Sequence, residues 1–130
     1  MNNKIDLSYS INDKKAIVLN SKNLLDEVAK EWASKIERDT KKTQVRNFYD
    51  KVLELEQNIK KDGFDSVYPF IKMLNSKVAY GVSRNVVSGE FEKMFNICLE
   101  QIKPDNKGEQ TFKNFKLFFE AVIGFYKGRD

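Results

Sequence analysis

From Ser66 to Gly89 the chain has no Asp and no Glu, yet it carries Lys72, Lys77, Arg84 and Tyr80. Charged residues make up 32% of the sequence, so an acid-free run of this length leaves its cations without local counter-charge. The chemistry open to such a run is recognition of an anion. At about 100° per residue, Lys77, Tyr80, Gly81 and Arg84 group on one side of a helix, and Val78, Ala79, Val82 and Val86 on the other. An amphipathic ring beside two cations suits a sugar-phosphate backbone or a base. The same ring can also pack on a neighbouring helix with its hydroxyl wet and the cations simply solvated. Spacing leaves both fates open.

A second cationic group stands in "TKKTQVRNFY". Lys41 and Lys42 precede a helix, and Gln44 and Arg46 fall in its first turn, where free backbone amides and the positive end of the dipole favour phosphates. Against this, Arg46 lies four residues before Asp50, the spacing of an ordinary surface pair.

Catalytic chemistry has little to build on. The chain has no histidine, which removes Ser/His and Cys/His catalysis and the commonest metal ligand. Cys98 is the single cysteine, so no intramolecular disulfide is possible, and Ile97 and Leu99 beside it mark it as a small core residue. Glu54 and Glu56 belong to a charged helix face, a weak basis for an enzyme. No metal and no cofactor is expected. The net charge of +4 permits nucleic-acid binding without requiring it.

The elements that must position these residues read as helices. "SKNLLDEVAKEWASKIERD" carries Leu25, Val28, Ala29, Trp32 and Ile36 at helical steps behind a Ser21 cap. Thr43 is placed to cap a second helix running to about Lys61, with Val45, Phe48, Tyr49, Val52, Leu55 and Ile59 on one face and Gly63 as its stop. Pro69 requires a short helix to start at Asp65 or Ser66, and Ser76 and Ser88 are placed to cap the next two. The last helix, from about Glu109 to Lys127, presents Phe112, Phe115, Phe119, Val122, Ile123 and Tyr126, with Phe118 and Phe125 extending the apolar arc. No alternating stretch is found. The expectation is an all-α, compact single-domain bundle of about five to six helices over residues 21–130, behind a variable leader at 1–20. No apolar run is long enough to span a bilayer, and the start "MNNKIDLSYS" lacks the features of a secretory signal, which points to the cytoplasm.

"TQVRNFYDKV", "LNSKVAYGVSR" and "FKLFFEAVIGFYKG", in this order and spacing, resemble the small helical subunit of the type III-A CRISPR-Cas effector, the Csm complex. The likeness covers roughly residues 40 to 128. It implies a non-catalytic helical protein in antiviral defence that lines up in several copies along guide RNA and target RNA beside other Csm subunits. Residue by residue it carries over Arg46 and Arg84. Lys41, Lys42, Lys77 and Tyr80 join them from the spacing argument. Gly81 in mid-helix and the ending "GFYKG" depart from the family pattern. The competing expectation is a helical protein-interaction module that uses a Phe118 and Phe125 edge and binds no nucleic acid.

Overall fold

The computed structural model describes residues 4–128. It is a helical bundle with one small antiparallel hairpin. Strands β1 (Tyr9–Ile11) and β2 (Ile17–Leu19) pair Tyr9 with Leu19 and Ile11 with Ile17. A π-helical turn, Leu24–Val28, leads into α1 (Ala29–Ile36), followed by α2 (Lys42–Asp62), α3 (Phe64–Lys72), α4 (Leu74–Ser83), α5 (Gly89–Gln101) and α6 (Gly108–Phe125).

Phenylalanine rings build the core. Phe95 of α5 is its hub, with ring centroids 4.8 Å from Phe91, 5.2 Å from Phe119, 5.4 Å from Phe115 and 5.5 Å from Phe48. Edge-to-face pairs such as Phe95–Phe119 suit the ring quadrupoles. Helix α6 packs against α1 and α2, while α4 packs against α5. Trp32, Val52, Leu55 and Phe112 are buried as their periodicity predicts, and Ile123 is only partly so. Phe118 is fully buried and Phe125 only partly, so of the edge expected from them Phe125 alone reaches the surface. Cys98 is buried too, and burial pushes its thiol pKa far up, away from a reactive thiolate.

Several boundaries differ from the sequence reading, each for a local reason. Residues 9–19 form the hairpin, which alternation did not reveal because its strands are only three residues long. Asn12 shapes its turn, with Oδ1 accepting from the Lys14 and Ala16 backbone amides. Upstream, Ile5 and Leu7 are buried, and polar side chains hold their backbone. Gln101 Oε1 accepts from Leu7 N–H (2.8 Å), Gln101 Nε2 donates to Ile5 C=O (2.9 Å), and buried Asn114 donates to Leu7 C=O (3.0 Å). These bonds satisfy backbone groups that burial would otherwise leave unpaired.

The π turn, closed by Val28 N–H on Asn23 C=O, shifts the helical register so that Leu24 is buried and Leu25 is exposed. Ser21 makes no side-chain cap: its hydroxyl turns to Asn23 Oδ1. Lys41, in extended geometry, stands at the N-cap of α2, and Thr43 lies inside the helix. Gly63, at φ 90°, stops α2 as expected, and α3 begins on the next residue. Pro69 therefore lies in the second turn of α3, exposed and without an amide to donate to the Asp65 carbonyl. Ser76 is also inside its helix, with its hydroxyl donating back to Met73 C=O. Ser88 does cap α5, accepting from Phe91 N–H at 3.1 Å.

Candidate functional site

Lys41, Lys42, Arg46, Lys77, Tyr80 and Arg84 are all exposed. The structure places them on one flank made of the start of α2 and the outer side of α4. Lys41 N–H donates to Val86 C=O, which ties the head of α2 to the segment just after Arg84. Lys42 and Arg46 line one hollow with Thr43, Asn47 and Asp50; Lys77 lines the adjoining hollow with Gln44, Asn47, Asp50, Lys51 and Glu54. Asn47 and Asp50 are common to both, so α2 and α4 share a continuous surface there. Tyr80 and Arg84 follow Lys77 along α4, and the Arg84 guanidinium lies 5.5 Å from the Tyr80 ring centroid. This cation-π distance holds one face of the ring toward the arginine.

The electrostatics of this flank are unusual within the molecule. Helices α1, α3, α5 and α6 each carry an acid in the first turn, where it complements the dipole. Helices α2 and α4 have none, and α2 instead gathers Lys41, Lys42 and Arg46 at its positive end. That arrangement opposes the dipole by some tenths of a kcal/mol per cation, a cost that an anion placed there removes. Among the described residues the ion pairs are Lys51–Glu54, Lys113–Glu109 and Lys116–Glu56, and none includes a cation of the candidate set. The Arg46–Asp50 pair that the spacing allowed does not form.

Three residues of the acid-free run, Lys72, Gly81 and Ala79, behave differently from the sequence reading. Lys72 is half-buried: its ammonium donates to Leu99 C=O at the end of α5 and lies over the Tyr68 ring, and burial lowers its pKa. It is a tie between helices, not part of the exposed cationic set. Gly81 is buried, not on the basic side; a Cβ there would stand 3.0 Å from Val87 Cγ2, so glycine lets the segment after α4 fold back over the helix. Ala79 takes the exposed position. Spacing gave the angle around the helix but not which neighbour lies opposite.

Phe70 and Met73 were missed. Both are exposed, and Met73 begins the series Met73, Lys77, Tyr80, Arg84 at four-, three- and four-residue steps, a signal present in the sequence. Also missed was Thr40, which is buried at the head of α2. Its hydroxyl accepts from Ser88 N–H and donates to Ser88 Oγ (2.9 Å each), and its carbonyl accepts from the Tyr126 hydroxyl. That node fixes the start of α2 against α5 and the chain's end.

A larger cleft, about 890 Å³, opens between the loop at 37–41, the loop before α5 and Lys127. Its lining mixes Glu37 and Asp39 with Arg38 and Lys41, and it shares only Lys41 with the candidate set. Among the described residues no group of three or more His, Cys, Asp or Glu side chains could hold a metal ion. Glu54 and Glu56 face Lys51 and Lys116, respectively. No helix among the described residues is long and apolar enough to cross a membrane.

Fold and surface thus define a small helical domain with a flank of unpaired cations on α2 and α4, beside which Asp50 and Glu54 line the hollows. The chain matches the family Csm2 Type III-A over residues 20–129 and belongs to it: it is a small Csm subunit of type III-A CRISPR-Cas. No curated protein and no solved structure is significantly similar to it.

Proposed function

We propose that this subunit is non-catalytic and binds the backbone of guide RNA and target RNA through Lys41, Lys42, Arg46, Lys77, Tyr80 and Arg84. In this reading several copies stand side by side along the RNA next to the other Csm subunits, in the cytoplasm, as part of antiviral defence. In this reading residues 21–130 carry the RNA-binding surface, and the variable leader at 1–20 packs Ile5 and Leu7 into the same core.

The observation that carries this is the exposed cationic flank of α2 and α4: its cations make no ion pair among the described residues, and neither helix has an acid in its first turn. Family membership supplies the setting. Backbone recognition follows from the residue types, since flexible Lys and Arg on an open surface meet phosphates without reading base edges.

The test is a salt titration of RNA binding. Each phosphate contact on a single strand contributes a slope near −0.7 in log K against log salt, so a handful of contacts gives weak binding that falls steeply with salt. Binding that is absent at low salt, or indifferent to salt, overturns the reading. Strong discrimination between unrelated sequences points instead to base contacts.

A further inference from the structure

Three polar side chains are buried among the described residues: Thr40, Thr111 and Asn114. Thr111 bonds to Lys107 at the start of its own helix and Asn114 holds the leader, whereas the Thr40 hydroxyl reaches Ser88, 48 residues on. Around Thr40 the chain is sharply bent. Of the three described non-glycine residues with positive φ, Asp39 (63°) precedes Thr40, and Asn85 (60°) precedes Val86, whose carbonyl takes the Lys41 amide. Backbone held in that region costs energy that the surrounding bonds must offset.

The two halves of the cationic flank have different anchors. Helix α2 packs on α3 and α6, and α4 chiefly on α5, so each buries its apolar face against other helices. Where the halves meet, their charges are alike, with Lys41, Lys42 and Arg46 on one side and Lys77 and Arg84 on the other, and like charges push apart. Asp50 and Glu54 beside Lys77 offset part of this, although Glu54 already pairs with Lys51. Against the repulsion stand the Thr40–Ser88 bonds and the Lys41 N–H donated to Val86 C=O, and Val86 N–H in turn donates to Gly81 C=O of α4 (3.0 Å). All of these join uncharged groups, so salt does not screen them.

We propose that Thr40 is a positioning residue: its hydroxyl, with the Lys41–Val86 bond beside it, clamps the cations of α2 to those of α4 at a fixed spacing, so that one RNA backbone meets both groups at once. The proposal rests on the RNA reading above and adds which residue sets the geometry of that surface. Two cationic groups at a fixed spacing hold a polyanion better than the same groups on a loose joint, because the second contact is made without a further ordering cost. Ser88 and the Tyr126 hydroxyl, which donates to the Thr40 carbonyl, complete the clamp.

The test is a double-mutant cycle on the full chain, with affinity for a labelled RNA duplex read by fluorescence anisotropy at low salt and stability read by urea unfolding. Thr40→Val keeps the branched shape and removes the hydroxyl. In the parent background it should weaken RNA binding about three- to tenfold, the scale of ordering one or two mobile groups on binding, and Thr40→Ser should recover most of that. In a Lys77→Ala/Arg84→Ala background the α2 cations have no partner group to be aligned with, so Thr40→Val should cost less than about twofold. Amide hydrogen exchange should find the Lys41 and Ser88 amides opened by Thr40→Val while those in the middle of α5 and α6 stay protected. Tyr126→Phe, which removes one hydroxyl and leaves the ring, should give the same pattern at smaller size, and it decides the matter if Thr40→Val does not fold.

An equal loss in both backgrounds means that Thr40 acts through the stability of α2 or of the whole chain, and overturns the proposal. Parent-like binding by Thr40→Val and Tyr126→Phe, or unchanged exchange at Lys41 and Ser88, also overturns it and leaves backbone binding standing. No RNA binding by the parent at low salt removes the underlying RNA reading, and the clamp's role with it.

Discussion

The cations of α6 and those of the α2–α4 flank are the same kinds of residue in opposite situations. On α6, Lys113 faces Glu109 at 3.6 Å and Lys116 faces Glu56 of α2 at 3.3 Å, the latter pair half-buried between the helices. On the flank, Lys41, Lys42, Arg46, Lys77 and Arg84 face no acid at pairing distance among the described residues. The first set is part of the fold's own electrostatics; the second is left for something outside it. The contrast teaches that a basic surface is best recognised by which acids are missing around it, since the total excess of 23 cations over 19 acids is slight.

The largest perturbation removes the support common to both sides. Phe119 lies beneath them, with its ring 5.2 Å from Phe95 and 5.9 Å from Tyr49. Phe119→Ala should cost roughly 3 to 5 kcal/mol of unfolding free energy in urea titration, lowering stability whichever RNA is present. A loss under about 1 kcal/mol would place the ring at the surface and undo the account of α6.

Next in size is the paired side. Lys116→Met leaves the half-buried Glu56 carboxylate without its partner and should cost roughly 1 to 3 kcal/mol; adding Glu56→Gln should recover much of that. RNA binding by the double variant should match the parent. If Lys116→Met is stable but binds RNA less well, the division between structural and available cations is drawn in the wrong place.

The unpaired side should respond in the reverse way. Arg46→Ala and Arg84→Ala should leave stability within about 0.5 kcal/mol, while each lowers the RNA salt slope by about 0.7, one phosphate's worth on a single strand. Lys113→Ala, which breaks only an exposed pair, is the control. Lys35 serves this purpose less well, because its ammonium stands 4.5 Å over the Trp32 ring and its removal touches the core. Parent-like binding by both arginine variants would make the flank structural.

Much of this architecture was legible because apolar periodicity reports on burial directly. Phe48, Phe112 and Phe119 each sat in a helical stripe, and all are in the core. Periodicity also put Lys77 and Arg84 opposite the valine side of α4, where both are exposed, but it left open whether Tyr80 packs on a neighbouring helix. What periodicity could not give was the identity of the neighbour. Lys72 and Lys77 are five residues apart in one acid-free run, yet Lys72 reaches the end of α5 and Lys77 meets solvent, because α5 happens to finish beside the first and not the second. The leader was illegible for another reason. Ile5 and Leu7 are held by Gln101 and Asn114 from elements more than ninety residues away, and no local pattern encodes such a partner.

The smallest expected effect concerns an acid beside the flank, Glu120. Tyr49 donates its hydroxyl to Glu120, and Lys42 and Arg46 line the same hollow. Burial, then the Glu120 hydrogen bond and charge, raise the Tyr49 pKa from 10.0 to about 12. The folded chain therefore holds this proton more tightly than the unfolded one. The stabilisation is fully present below pH 10 and is lost as pH rises through about 12. Tyr49→Phe should be somewhat less stable than the parent at pH 8, with the difference shrinking between pH 10 and about 12; taking the difference cancels the titration of lysines common to both proteins. The variant also frees the Glu120 carboxylate to turn toward Lys42 and Arg46, so its RNA affinity should fall by a small factor, about twofold or less, the scale of one exposed ion pair. Tyr49→Phe/Glu120→Gln should restore that affinity. If the parent and Tyr49→Phe lose stability in parallel through the alkaline range, the hydrogen bond does not hold the proton. If Glu120→Gln alone leaves RNA binding unchanged while Tyr49→Phe weakens it, Tyr49 acts on the flank by packing and not by keeping a carboxylate away from it.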